Sequence, residues 1–208
     1  AGLRSRIPGG LEGYNKPFDL LAIPERDLLF VAEYGANRIT RSTLSGGNII
    51  RFGTRGRSPG QLLGPQFLAE DGKGYIYVTE VGNRRVTKYD LDGNYILHFG
   101  TQAGTFRGFQ EPTGVVCLKG YVFVSDARSQ EILVFDESGN FIKSLGKGLL
   151  NKPEGLSRFD KDSFLVADTT RLLLYSLSND TFTLFSDLGG QAKRVVKAIP
   201  YNNGFILA

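Results

Sequence analysis

Two residue types are missing from this 208-residue chain and two more are nearly so: it has no Met, no Trp, one Cys and one His. The lone Cys117 has no partner for an internal disulfide and no second thiol for a CxxC zinc or redox site. With His98 as the only imidazole, a three-histidine metal site is impossible within the chain. No apolar run approaches the roughly 18 residues of a membrane-spanning helix. The chain opens on Ala1-Gly2-Leu3-Arg4-Ser5, with no initiator Met and no signal-peptide pattern. We read it as a processed chain or as a domain of something longer. What is present suffices for a core, since 41% of residues are hydrophobic and 12% aromatic, too apolar for disorder. Glycine is abundant at 27 residues, well above the usual share of about 7%, which points to a turn-rich all-β protein.

Self-comparison reveals an internal repeat. Tyr75-Ile76-Tyr77-Val78-Thr79-Glu80 recurs as Leu28-Leu29-Phe30-Val31-Ala32-Glu33, as Tyr121-Val122-Phe123-Val124-Ser125-Asp126 and as Ser163-Phe164-Leu165-Val166-Ala167-Asp168. Gly204-Phe205-Ile206-Leu207-Ala208 begins a fifth copy. Each full copy follows a proline (Pro17, Pro65, Pro112, Pro153), and the prolines are spaced by 48, 47 and 41 residues. That period is the one expected of four-stranded propeller blades. In the second unit the runs with strand character are 66–71 (a), 75–80 (b), 85–90 (c) and 95–99 (d). Asp71-Gly72-Lys73-Gly74 and Leu91-Asp92-Gly93-Asn94 join a to b and c to d, with residues that accept the positive φ of tight hairpins. Strand d closes on Phe52-Gly53, Phe99-Gly100 and Leu145-Gly146. Strand b is nearly continuously apolar, as expected of a strand buried on both faces, whereas strand d alternates like an outer edge. No segment holds a helical period over 11 residues, so little helix is expected. A radial array of such meanders is a β-propeller.

The segment Gly60-Gln61-Leu62, Pro65 and Asp71 through Val86 resembles an NHL repeat almost position by position, and Glu33 through Ile39 matches it in the first unit. The third unit departs at Asp126-Ala127-Arg128-Ser129-Gln130-Glu131-Ile132, and the fourth shortens its turn to Asp168-Thr169-Thr170-Arg171. The resemblance covers roughly residues 9–208. It implies blades near 17–53, 65–100, 112–146 and 153–186 with a partial one at 194–208. Six blades, the usual NHL number, would need about 270 residues at this period. The chain is therefore expected to be one incomplete propeller domain, entered through a d–a connection at Gly9-Gly10-Leu11.

NHL propellers serve as enzymes, RNA binders, sensors and scaffolds, so the chemistry rests on individual residues. A peptide-amidating lyase of this kind would imply several metal-binding histidines, and His98, in an outer strand, is expected to be an ordinary surface residue. Glu33, Glu80, Asp126 and Asp168 end strand b in successive units and form a ring of acids. A calcium site is one reading of that ring. The recurrence is explained more simply by acids that accept hydrogen bonds from their own b–c turn or pair with the Arg of the repeat. Cys117 falls in the slot of Ala22, Ala69 and Ala198, where strands converge near the axis, and has no basic partner to activate it. No phosphate-binding glycine loop precedes a helix. The sequence thus offers no catalytic residue, metal or cofactor site.

Charge is more informative once sorted by face. The b–c turns and d–a connections carry eleven basic residues and seven acids, and the a–b and c–d turns carry five basic residues and eleven acids. Repeat-encoded pairing accounts for Arg38, Arg85 and Arg171. It leaves Arg55, Arg57, Arg84, Arg107 and Arg128 as the candidate partner-binding residues. We therefore expect a non-catalytic NHL propeller that acts as a scaffold or protein-interaction module through this basic face. The alternative is RNA binding on the same face, as in TRIM-type NHL proteins, with Tyr34, Phe106 and Phe109 as the available stacking aromatics. A further alternative is a lyase or hydrolase whose decisive residues lie outside this chain. Family analogy favours a periplasmic or extracellular location over the cytoplasm.

Overall fold

The computed structural model describes residues 13–201 and 204–208, so the expected connection at Gly9-Gly10-Leu11 lies outside the described residues. Four antiparallel four-stranded sheets follow one another along the chain. Blade 1 holds β1 (Pro17–Ile23), β2 (Leu28–Glu33), β3 (Arg38–Ser42) and β4 (Ile50–Phe52). Blade 2 holds β5 (Pro65–Glu70), β6 (Tyr75–Glu80), β7 (Arg85–Asp90) and β8 (Tyr95–Phe99). Blade 3 holds β9 (Pro112–Leu118), β10 (Tyr121–Asp126), β11 (Glu131–Asp136) and β12 (Phe141–Leu145). Blade 4 holds β13 (Pro153–Arg158), β14 (Ser163–Asp168), β15 (Arg171–Ser176) and β16 (Thr181–Asp187). The pair β17 (Ala198–Tyr201) and β18 (Gly204–Leu207) begins a fifth. The expected strands b, c and d of blade 2 coincide with β6, β7 and β8. Strand a starts one residue earlier than expected, because Pro65 already pairs with Glu80 before a bulge resets the register at Leu68. Helix is confined, among the described residues, to the 3-10 turn Pro24–Arg26.

The hydrophobic core is divided into layers between neighbouring blades. Phe30, Ile39, Ile76 and Tyr89 fill the layer between blades 1 and 2. Phe67, Tyr77, Phe99, Val122 and Phe135 fill the next. Phe123, Ile132, Phe164 and Tyr175 join blades 3 and 4, and Leu165, Leu172 and Ala198 join blade 4 to the fifth sheet. Strands β2 and β14 are buried along their whole length because each is covered on both faces. Strand β12, at the outer edge, is mostly exposed. Apolar side chains remain uncovered on the first and last sheets: Phe18 and Leu20 on β1, Ile199 and Tyr201 on β17, Ile206 and Leu207 on β18.

The end of strand d illustrates how the repeat is locked. Gly100 has φ of 111°, a conformation L side chains rarely adopt, and a Cβ there would collide with the ring of Phe109. Phe109 is buried at 4% exposure and packs against Phe135 of blade 3, with ring centroids 5.4 Å apart. The glycine therefore lets the d–a connection fold back and plug the seam between two blades. The first strands of the sheets surround a central cavity of about 400 Å³. Ala22, Ala69 and Cys117 line it as expected, while Ala198 is instead buried in the layer between blade 4 and the fifth sheet.

Candidate interaction face

The acids that end strand b are fully buried, and each is held by several donors. Glu33 accepts from the Asn15 amide at 2.8 Å, from Arg38 Nε at 3.0 Å and from the Thr40 hydroxyl. Glu80 accepts from the Leu63 amide at 2.9 Å, Asn83 Nδ2 at 2.6 Å and Arg85 Nε at 2.7 Å. Asp126 accepts from the amides of Gln110, Glu111, Arg128 and Ser129. Asp168 accepts from the amides of Asn151 and Lys152 and from Arg171 Nη2. The acids thus bind their own b–c turn or the Arg of the repeat, as the sequence suggests. They also bind the d–a connection that enters their blade, a contact made through backbone amides that no residue type announces. For Glu33, burial alone would raise the pKa, but the bonds from Arg38, Thr40 and Asn15 outweigh it and leave the carboxyl below its ordinary range.

The bonds described above occupy these acids, which leaves the arginines of the same face to consider. Arg85 is spent, donating to Glu80 and to the carbonyls of Arg57 at 2.8 Å and Gln61 at 2.7 Å. Arg38 and Arg171 are likewise paired. Arg55, Arg57, Arg84, Arg107 and Arg128 are exposed, and among the described residues none forms a side-chain hydrogen bond or ion pair. Arg55 lines a cleft between blades 1 and 2 with Lys16, Tyr34 and Leu63. Arg57 and Arg84 line a second, and Arg107 and Arg128 a third. Arg84 also carries backbone strain. Its φ of 51° is the left-handed turn conformation, which Asn37 supplies at the same place in blade 1.

Two of the proposed stacking aromatics are not available. Phe106 and Phe109 are buried at 6% and 4% exposure, and Phe106 stacks on Phe141 at 5.0 Å. They sit in connections, which suggests exposure, but they are the plugs of the seam between blades 2 and 3. Tyr34 remains exposed at 41%.

His98 is half-buried in the cleft of Arg57 and Arg84, its Nδ1 within 2.8 Å of the Tyr95 hydroxyl. Burial and the nearby Arg85 charge lower its pKa, so the ring is neutral near pH 7. Cys117 is buried beside the central cavity, and desolvation pushes its thiol pKa far up, away from the reactive thiolate. Two further ion pairs lie in or just before first strands, outside the turns and connections by which the charges were sorted in the sequence. Lys197 Nζ is 2.7 Å from both carboxylate oxygens of Asp19, and Arg194 forms a forked pair with the buried Glu154 at 2.6 and 2.9 Å. Among the described residues no three His, Cys, Asp or Glu side chains converge as a metal-binding set, and no helix is long and apolar enough to cross a membrane.

Solved structures place this architecture among known ones. A structure of a nidogen–laminin complex matches with a TM-score of 0.74 at 17% identity, covering 92% of this chain and 71% of that one. The chain is a β-propeller. Virginiamycin B lyase from Staphylococcus aureus matches with a TM-score of 0.68 at 15% identity over 92% of this chain and 62% of that one. The WD40 repeats of RRP9 match with a TM-score of 0.65 at 12% identity over 81% and 50%. At these identities the likeness is one of fold, and it spans interaction propellers and a lyase alike. No family model matches the chain, and no curated protein matches its sequence.

Proposed function

We propose that this propeller is a non-catalytic, NHL-like interaction module and that its partner meets the face bearing the b–c turns and d–a connections. One observation carries the reading. On that face the strand-b acids are buried and consumed by turns, while Arg55, Arg57, Arg84, Arg107 and Arg128 are exposed and have no side-chain partner among the described residues. An exposed guanidinium with no intramolecular task is a ready fork for carboxylates or phosphates. The similar structures that come from protein assemblies, such as nidogen with laminin, support such a use. A partner protein is favoured over RNA because, among the described residues, the basic face shows no row of exposed aromatics for base stacking.

The test is retention of the purified protein on immobilised acid-rich peptides and on a random RNA pool, each titrated with salt. Retention on the peptides at about 0.1 M salt, lost when the five arginines become Gln, is expected. Retention on RNA alone, with a steep salt slope, would replace this reading with the nucleic-acid one.

A further inference from the structure

Two of the arginine clefts share one construction. The first, of about 490 Å³, is lined by Arg57 from the connection entering blade 2, by Arg84 from its b–c turn and by His98 from its strand d. The second, of about 630 Å³, is lined by Arg107 from the connection entering blade 3, by Arg128 from its b–c turn and by Ser144 from its strand d. One connection arginine and one b–c turn arginine recur in both, beside Arg85 in the first and Lys147 and Glu131 in the second, yet their sequence positions differ. Arg57 lies eight residues before Pro65, whereas Arg107 lies five before Pro112. Arg84 follows its strand-b acid by four residues, whereas Arg128 follows its own by two. Repeat inheritance would place the charges in register. Here they coincide in space without it.

The chemistry of both clefts favours carboxylates over nucleotides. Among the described residues, the only carboxylate lining either cleft is Glu131, which is 17% exposed and lies 4.0 Å from Lys147. The Ser129 hydroxyl, in the b–c turn of the second cleft, has no hydrogen-bond partner. For bases there is little to stack on, since Phe106 is buried and Phe141, half-buried, is already stacked against it. Forked donors without aromatic platforms suit side-chain carboxylates presented at intervals along an extended backbone.

We propose that the two clefts together hold one extended acidic segment of a partner protein, laid across blades 2 and 3. This rests on the arginine face being the interaction surface, and it adds the occupant and its path. Binding through both clefts makes the second contact intramolecular, so affinity depends on the length of the segment.

Fluorescence anisotropy with labelled Glu-rich peptides tests this, using the whole chain, Gln-matched peptides and oligouridine of equal length. A peptide of about sixteen residues should bind at least about tenfold more tightly than one of about four. Arg57→Gln with Arg84→Gln, or Arg107→Gln with Arg128→Gln, should each reduce the long peptide to the affinity of the short one. All four positions are exposed, and an unchanged thermal midpoint establishes that the variants fold. Equal affinity of long and short peptides, or loss through one cleft alone, overturns the bridging path while leaving the interaction face intact. Tighter binding of oligouridine overturns the choice of occupant. Absence of any acidic-peptide binding at about 0.1 M salt overturns this inference and the interaction face together.

Discussion

The two faces of the propeller disc carry opposite solutions to the same electrostatic problem. On the face of the b–c turns, acids are the structural element. They are buried, satisfied by backbone amides and repeat arginines, and they stitch each blade to the connection that enters it. On the face of the a–b and c–d turns, cations are the ties between blades. Lys73 reaches Glu137 at 2.7 Å, Lys143 reaches Asp180 at 2.8 Å, and Lys119 pairs with Asp162. Each of these links joins one blade to its neighbour. Among the described residues, the first face keeps five exposed arginines outside these pairs, whereas the second engages Lys73, Lys119 and Lys143 in ties between blades. Those five arginines are the residues proposed to meet a partner.

The sharpest way to break this comparison is to remove a structural group on the first face. Glu80→Ala should cost about 3–5 kcal/mol in urea unfolding, because it strands the buried Arg85 guanidinium and the Leu63 amide. A change below about 1 kcal/mol would mean that the acid ring is not structural. Phe109→Ala should cost a similar 3–5 kcal/mol as a cavity in the seam between blades 2 and 3. A near-neutral result would return Phe109 to the surface. Acid should act on both faces. Asp90 and Asp136 are opposed by desolvation, but turn bonds from Asn94 and Asn140 hold their pKa values below the ordinary range, as the bonds to Glu33 do. A depressed folded pKa stabilises the native state above the unfolded pKa and loses that contribution as pH falls through the folded value. The contribution of these carboxylates should therefore be flat above about pH 5 and decline below about pH 4, with a smaller separate loss on acidification below about pH 6.5 from His98, whose pKa is lowered in the fold. A carboxylate contribution lost already near neutrality would contradict the assignment.

Smaller effects separate the faces further. Arg84→Asn should stabilise the fold by about 1 kcal/mol by relieving the left-handed strain, and should weaken binding to acidic peptides. Stabilisation with unchanged binding would remove Arg84 from the interaction surface. Lys143→Gln, on the opposite face, breaks an ion pair whose members are about half exposed, and should shift stability by less than about 1 kcal/mol without touching binding.

Much of this architecture was legible in the sequence because it repeats. Strand b runs of apolar residues closed by an acid, Asp-Gly turns and Phe-Gly endings located the strands of blade 2 to within a residue. The pairing of Arg38, Arg85 and Arg171 followed from the same logic. What was not legible is what the backbone does. The amides of Asn15, Leu63, Gln110 and Asn151 that hold the acids belong to three residue types with no signature common to all four positions. The burial of Phe106 and Phe109 depends on a connection folding back over Gly100, a long-range event that local pattern does not encode. The coincidence of Arg57 with Arg107 was hidden for the opposite reason, since the two stand at different offsets in their repeats.

The face assignment is tested most directly by hydrogen–deuterium exchange on the protein with and without a saturating acid-rich peptide. The account predicts slowed exchange at 53–65, 82–85, 105–110 and 126–131, with no change in the turns at 71–74, 91–94 and 137–140. Slowed exchange confined to those opposite turns, with the arginine-bearing segments unaffected, would contradict it.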